Sequence, residues 1–361
     1  EQHHHVFSTW LKPLGIKPVW LSGKVTGKKR TEALQRINTG AELVIGTHAL
    51  MQKGVEFSHL GLVIVDEQHR FGVGQRMNLL EKGGKLKRQA HQLIMTATPI
   101  PRTLAMTAYA GMDVSVIDEL PPGRKPVTTV VMSNQRRGEI IQRVAKACAA
   151  NKQAYWVCTL IEESDVIEAQ AAEDVARSLK NELSDLNIGL IHGRMKPADK
   201  QQVMDDFKIG KLHLLVATTV IEVGVDVPNA SLMIIVNADR LGLAHLHQLR
   251  GRVGRGAVHS SFVFMYNPPL GDLAKQRMEI MRQTVDGFQI AEKDLELRGP
   301  GEVLGTRQTG MLLFRVADLA RDAGLLKMIP AVADNLLKQH PGQADKLIRR
   351  WIGDASRFAG V

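Results

Sequence analysis

The residues best suited to chemistry are Asp66 and Glu67, which close the run Gly61-Leu62-Val63-Ile64-Val65 and precede Gln68-His69-Arg70. Two adjacent carboxylates suit phosphate transfer, because one can hold Mg²⁺ through water while the next orients an attacking water. The apolar run reads as a buried parallel strand with its carboxyl edge exposed, and ligands of open α/β sheets bind just beyond such edges. Taken alone, the pair reads equally as a strand ending in a solvated turn. Two further runs end in the same way. Leu43-Val44-Ile45 passes into Gly46-Thr47-His48, and His91-Gln92-Leu93-Ile94-Met95 passes into Thr96-Ala97-Thr98-Pro99. Three strands ending in small hydroxyl or acidic residues on one edge are expected to form a site. Thr47 is suited to donate to a nucleic-acid phosphate, or simply to a turn between strand and helix.

A second set of charged groups lies in Gln248-Leu249-Arg250-Gly251-Arg252-Val253-Gly254-Arg255-Gly256. Arg252 and Arg255 are three apart and read as projecting from one face of a helical turn. Guanidinium groups so placed can stabilise charge on a γ-phosphate. An RNA-binding arginine–glycine loop and a plain basic surface are the alternatives. The stretch Ser22-Gly23-Lys24-Val25-Thr26-Gly27-Lys28-Lys29-Arg30 invites comparison with a phosphate loop, G-x-x-x-x-G-K-[ST]. Its glycines are one residue too close, and Lys29 stands where a hydroxyl must reach Mg²⁺. It reads instead as a basic turn facing a nucleic-acid backbone, or as a solvated loop. No other stretch supplies such a loop, so Asp66 and Glu67 have no partner lysine for the β- and γ-phosphates within these residues. His3-His4-His5 reads as ordinary helix sequence, with metal binding or a tag as alternatives.

These groups need elements to hold them. Residues 1–20 read as a helix end, a turn over Pro13 to Gly15 and a strand near Val19-Trp20-Leu21. Pro121-Pro122-Gly123-Arg124-Lys125-Pro126 leaves no room for helix or central strand and marks a domain boundary. Beyond it a helix is expected over about Arg136 to Ala150, a strand over Gln153 to Cys158 and then an acidic helix. Further strands are expected over Ile188 to His192, Leu212 to Ala217 and Ser231 to Val236. That alternation predicts a parallel sheet with helices on both faces. Asp272 to Thr284 and Asp286 to Leu297 read as a helical hairpin. A polar, glycine-rich loop follows, and the last fifty residues read as amphipathic helices.

The chain has 361 residues, 44% of them apolar but only 4% aromatic, so its cores must be aliphatic, which favours α/β architecture over an all-β sandwich. Lys and Arg number 47 against 37 Asp and Glu, and the net charge of +10 favours a polyanionic partner or an anionic membrane surface. No uninterrupted apolar stretch reaches membrane-spanning length, and no signal peptide is visible. Cys148 and Cys158 are the only cysteines, show no metal-ligand spacing, and suit a reducing cytoplasm.

With Asp66-Glu67-Gln68-His69-Arg70-Phe71-Gly72-Val73, Thr96 to Thr103, Ala217 to Asp226 and Gln248 to Gly256 in one order, the sequence resembles superfamily-2 helicases, and among them the RecG family of bacterial DNA helicases. The stretch Asp286 to Gly310 resembles a translocation motif shared with the transcription-repair coupling factor. Gln68 and Asp118-Glu119-Leu120-Pro121-Pro122-Gly123-Arg124 look more like the RecG family. The resemblance implies two RecA-like parallel-sheet lobes, the first truncated at its N-terminus, plus a helical C-terminal extension. It divides the chain into 1–120, 121–266 and 267–361. It implies an ATP-dependent DNA helicase, with ATP and Mg²⁺, that branch-migrates Holliday junctions and remodels stalled replication forks in recombination and repair. It further implies a monomer, single-stranded-DNA-binding protein as a partner, and no membrane.

The roles it implies are positional. Asp66 would bind Mg²⁺ through water and Glu67 would polarise the hydrolytic water. His69 and Gln248 would couple nucleotide to DNA, and Thr96 and Thr98 would relay between lobes. Gly224 and Asp226 would approach the nucleotide, and Arg252 and Arg255 the γ-phosphate. Gly46, Thr47, His48, Thr218 and Thr219 would touch the DNA backbone. Arg277, Arg298 and Gln308 would tie ATP-driven closure to duplex movement. In that family the wedge domain and the phosphate loop lie upstream of anything present here. Residues 1–361 alone are therefore expected to bind ATP weakly, hydrolyse little and show no fork specificity. The competing expectations are a non-catalytic nucleic-acid-binding module and a coupling-factor-like translocase.

Overall fold

The computed structural model describes residues 1–67, 90–97, 113–119, 122–123, 125–159, 165–218, 227–254, 259–298 and 322–352. They fall into two compact units, the first containing Glu1–Ala97 and the second Thr98–Val303. Of the C-terminal residues, 322–335 cluster with the second unit and 336–352 with the first.

In the first unit, helix α1 (Gln2–Leu11) runs into a short 3₁₀ turn at Lys12–Leu14, closed by Gly15 in the left-handed region. Strand β1 (Val19–Leu21) and helix α2 (Gly27–Gly40) follow, then β2 (Val44–Gly46), β3 (Leu62–Val65) and β4 (His91–Ile94). The basic stretch at 22–30 is thus only half a turn, since helix begins at Gly27 and carries Lys28, Lys29 and Arg30 on its first turn. β1 pairs with β2 and β3 with β4, both in parallel. Val19, Leu21, Ala33, Ile37, Ala49 and Val55 form one small core, and Val63, Val65 and Ala90 another.

Two expectations need correction here. β3 is not buried on both faces: Val63 and Val65 are covered, whereas Leu62 and Ile64 are 53% and 55% exposed. Among the described residues β4 is its only partner, and Leu93 beside it is also exposed. Nor do the three strand ends share one hydrogen-bonded edge, because among the described residues β1–β2 and β3–β4 are separate two-stranded sheets.

The second unit is built on one six-stranded parallel sheet. Its strands are β5 (Thr128–Ser133), β6 (Gln153–Cys158), β7 (Ile188–Ile191), β8 (Leu214–Ala217), β9 (Ala230–Val236) and β10 (Ser261–Tyr266), ordered β5-β10-β9-β6-β8-β7. The connecting helices are α3 (Arg137–Ala149), α4 (Asp165–Glu182), α5 (Pro197–Lys208) and α6 (Leu243–Arg250). Successive strand residues point to opposite faces. Ala154, Trp156, Leu214, Val216 and Ile234 therefore join α3 and α4 in one core, with Ile140, Val144, Ala172 and Leu179. Tyr155, Val157, Leu215, Met233 and Ile235 join the other core, with Phe207 of α5 and Leu243, Leu246 and Leu249 of α6. This is the double covering that the apolar runs predicted.

α7 (Asp272–Gln283) and α8 (Gly287–Arg298) form the expected hairpin, and Met278, Met281 and Ile290 bury into the second core beside α6. α9 (Ile329–Gln339) and α10 (Pro341–Ile352) close the described chain. No described helix is long and apolar enough to cross a membrane.

Candidate active site

At the end of β3 the Glu67 amide donates to Asp66 Oδ1 at 2.9 Å. Glu67 itself adopts φ 53°, a left-handed conformation that costs a non-glycine residue about 1–3 kcal/mol and that clusters at functional sites. Register places Val65 opposite Ile94, and the Met95 amide donates to the Val65 carbonyl at 2.8 Å. The ladder thus continues one residue past β4, which sets the acid pair and Thr96 side by side at one carboxyl edge. α1 reaches this edge. His3 Nε2 lies 3.4 Å from Asp66 Oδ2, and the His4 ring is 5.7 Å from that of Trp20 on β1. Both members of the His3–Asp66 contact are well exposed, so the pair is weak.

The carboxyl end of β2 carries Gly46, Thr47 and His48. The Thr47 amide donates to the Leu21 carbonyl, and its hydroxyl accepts from the Ala49 amide, capping a 3₁₀ helix at His48–Met51. A Cβ on Gly46 would lie 2.1 Å from the Leu21 carbonyl oxygen and 2.9 Å from Leu50. Gly46 is therefore needed for packing whatever else it does. Thr47 and His48 are exposed.

In the second unit Gln248 and Arg250 lie on α6, and the helix stops at Arg250. Arg252 lies just past that end in a helical-type turn, its amide donating to the Leu249 carbonyl at 3.0 Å. It sits in the turn after α6, which Gly254 closes at φ 75°, with Val127 Cγ2 only 2.9 Å from where a Cβ would stand. A helix continuing to residue 255 would need that glycine in the right-handed region. Arg277 of α7 donates to the Leu241 carbonyl, just ahead of α6, at 3.0 Å. Thr218 follows β8, donates its amide to the Ile191 carbonyl and is 2% exposed, so its hydroxyl is not presented to solvent in this arrangement. Arg298 ends α8. His69, Thr98, Thr219, Gly224, Asp226, Arg255 and Gln308 lie outside the described residues.

Sequence reading passed over two features. One is the polar row on the carboxyl edge of the six-stranded sheet. Asn134, Asn267, Asn237 and Thr159 follow β5, β10, β9 and β6, which are neighbours in that order. Asn267 bonds both Asn134 and Asn237, and Thr159 donates to the Val236 and Asn237 carbonyls. The available signal was a small polar residue directly after each apolar run. The other is Arg250, a buried guanidinium that reads in sequence as one more arginine of a basic loop.

Three family descriptions match in succession: DEAD/DEAH box helicase over residues 1–107, helicase conserved C-terminal domain over 132–257, and ATP-dependent DNA helicase RecG, domain 3, C-terminal, over 284–348. The ATP-dependent DNA helicase RecG of Haemophilus influenzae is 64% identical over 334 residues, 92% of this chain and 48% of that protein. In sequence and in structure the chain is similar to the C-terminal portion of RecG-type helicases. It spans about half the length of the curated RecG proteins it matches. A solved structure of RecG bound to a three-way DNA junction superposes with a TM-score of 0.66 at 40% identity, covering 90% of this chain and 42% of that one. The helicase Lhr of Mycobacterium smegmatis, bound to ssDNA and AMP-PNP, matches at a TM-score of 0.54 and 21% identity over 75% of this chain and 38% of that one, which speaks for the RecA-like fold alone.

Proposed function

We propose that this chain is the motor portion of a RecG-type, ATP-dependent DNA helicase that acts on branched DNA, including replication forks and Holliday junctions. The observation that carries the reading is the acid pair at the carboxyl edge of β3, with Glu67 held in a left-handed backbone beside Thr96. An exposed carboxylate at a strand end suits Mg²⁺ that arrives with a nucleotide, because Mg²⁺ keeps most of its waters and takes one or two carboxylates. Among the described residues no group of three acidic, His or Cys side chains forms a protein cage for a metal. Asp66 would hold the ion through water, and the ion would neutralise charge on the phosphates. Glu67 would orient the attacking water and accept its proton.

Arg252 and Arg255 would meet the γ-phosphate, with Gly224 and Asp226 near the nucleotide. Gln248, His69, Thr96 and Thr98 would couple the nucleotide to DNA. Gly46, Thr47, His48, Thr218 and Thr219 would follow the DNA backbone, and Arg277, Arg298 and Gln308 would relay movement to the duplex. Residues 1–361 contain no phosphate loop. By themselves they are expected to turn over little ATP.

The test is Glu67→Gln in the full-length polypeptide that carries this sequence. DNA-stimulated ATP hydrolysis should fall by about 10²-fold or more while binding to a three-way junction persists. Unchanged turnover would overturn the assignment. Junction binding should also weaken steeply with salt if phosphate contacts dominate.

A further inference from the structure

Two buried polar atoms stand together at the carboxyl edge of β7 and β8. The strands pair with Ile191 opposite Ala217, and the Thr218 amide donates to the Ile191 carbonyl at 3.1 Å. His192 and Thr218 are therefore the next residues of the two strands, side by side. Leu190 and Val216, two positions earlier, pack in the core that α3 and α4 cover. Side chains alternate along a strand, so His192 and Thr218 face that same side. The contact of His192 agrees, since its Nε2 lies 3.5 Å from Glu173 Oε1 on α4. The His192 side chain is 12% exposed and Thr218 is 2% exposed. Among the described residues neither His192 Nδ1 nor Thr218 Oγ1 has a hydrogen-bond partner.

A buried polar atom left alone costs stability, so two of them at adjacent strand ends call for an explanation. Packing alone does not ask for these residue types. A valine in place of Thr218 and an apolar ring in place of His192 would fill the same space with no orphaned atom. The carboxylate of Glu173 facing Nε2 favours the proton on that nitrogen, which leaves Nδ1 as an acceptor. The Thr218 hydroxyl is a donor on the neighbouring strand, about 4.8 Å away between strand axes, within reach of Nδ1 by rotation of the side chain. The other groups nearby do not compete. Cys158 of β6 comes next in register to Thr218, and burial pushes its thiol up to about 12, so it stays neutral. Lys200 of α5 donates to the Gly193 carbonyl.

We propose that His192 is a positioning residue, held by Glu173, that takes the Thr218 hydroxyl and so fixes where the chain leaves β8. This deepens the motor reading above and rests on it, because that reading assigns Thr218 and Thr219 to the DNA backbone. With its hydroxyl turned inward, Thr218 serves DNA by where it holds the main chain. Loss of the acceptor on His192 weakens engagement of DNA and leaves turnover at saturating DNA in place.

The experiment uses the full-length polypeptide with His192→Phe, which keeps a ring but no acceptor, and His192→Asn, whose Oδ1 can stand where Nδ1 stood. Three quantities are read: the melting temperature, the maximal rate of ATP hydrolysis, and the concentration of three-way junction that half-saturates it. In His192→Phe the half-saturating concentration should rise about tenfold, the scale of one lost hydrogen bond, while the maximal rate stays within about threefold. His192→Asn should recover most of that loss. Thr218→Val should give a similar rise, and the double variant no more than the larger single one, because both remove the same contact. An unchanged half-saturating concentration in His192→Phe overturns the proposal. So do losses that multiply in the double variant, and so does a His192→Asn chain no better than His192→Phe. A rise that only tracks a falling melting temperature marks structural anchoring and overturns it as well. If His192→Phe does not fold, the double-variant comparison is made with Glu173→Gln in its place, under the same criterion. Absence of DNA-stimulated hydrolysis in the unsubstituted protein would instead remove the motor reading itself.

Discussion

Leu62-Val63-Ile64-Val65 and Leu214-Leu215-Val216-Ala217 are nearly interchangeable as strings of apolar residues, yet one strand is buried at every position and the other at alternate positions. β8 lies between β6 and β7, with α3 and α4 lining one face of its sheet and α5 and α6 the other. Among the described residues β3 has β4 as its one partner, and Leu62, Ile64 and Leu93 are about half exposed. A run of branched apolar residues therefore specifies a strand, but not how many of its faces are covered. Coverage is a property of the neighbours. The contrast also separates two kinds of site. The acid pair ends a thinly supported strand in the first unit, whereas Gln248, Arg250 and Arg252 hang from a helix seated on a full core in the second.

The contrast can be broken most sharply by hydrogen exchange. Amides of β6, β8 and β9 should exchange slower than those of β3 and β4 by about a thousandfold or more, because local opening spans the range from near zero to the global stability. Equal protection would show that β3 and β4 draw on support comparable to the six-stranded sheet.

Next in size is a pair of truncations. Trp156→Ala removes a side chain only 1% exposed, packed in the α3–α4 core with Arg137 5.6 Å above its ring, and should cost the second unit about 3–5 kcal/mol in urea denaturation. Ile64→Ala, at a half-exposed position, should cost the first unit less than about 1 kcal/mol. Gly46→Ala falls between them. Its Cβ would collide with backbone at Leu21, and a loss of about 1–3 kcal/mol is expected, as for other overpacked sites.

The smallest effect is on pH dependence, and it belongs to the second unit alone. Burial pushes the Cys148 thiol up to about 11 and the Cys158 thiol up to about 12, from an ordinary value of 9.0. In the folded chain both stay neutral while the unfolded thiols ionise. Their contribution is complete below about pH 9 and is lost as pH rises toward 11 to 12. Urea midpoints at pH 7.5 and 10.5 should therefore differ less in Cys158→Ala than in the unsubstituted chain. An identical difference would mean that the thiol ionises as readily folded as unfolded.

Much of the molecule was legible in its residue order. The strands at Val19–Leu21, Gln153–Cys158 and Ala230–Val236 and the hairpin of α7 and α8 all announce themselves by period and by their flanking turns. So does the chemistry of the acid pair and of the arginine loop, because carboxylates after an apolar run and arginines among glycines are statements about residue type. Strand pairing was not legible, since each parallel crossover joins elements distant in sequence and local pattern does not name the partner. The placement of Arg252 was legible in part. Spacing suggested a helical turn, which 250–253 supply, but that this turn closes at Gly254, packed on Val127, is set by a contact distant in sequence.

The sequence by itself determined the local currency of this protein: which segments are strands and helices, which side chains can handle phosphate, and a positive charge suited to nucleic acid. Only the tertiary structure decided which strand faces are covered, that Gly46 is demanded by the Leu21 carbonyl, and that Arg250 spends its charge inside the protein on the end of another helix. The physical reason is range. Propensity and residue chemistry act within a few positions, while burial and hydrogen-bond partnership are settled by groups tens of residues away.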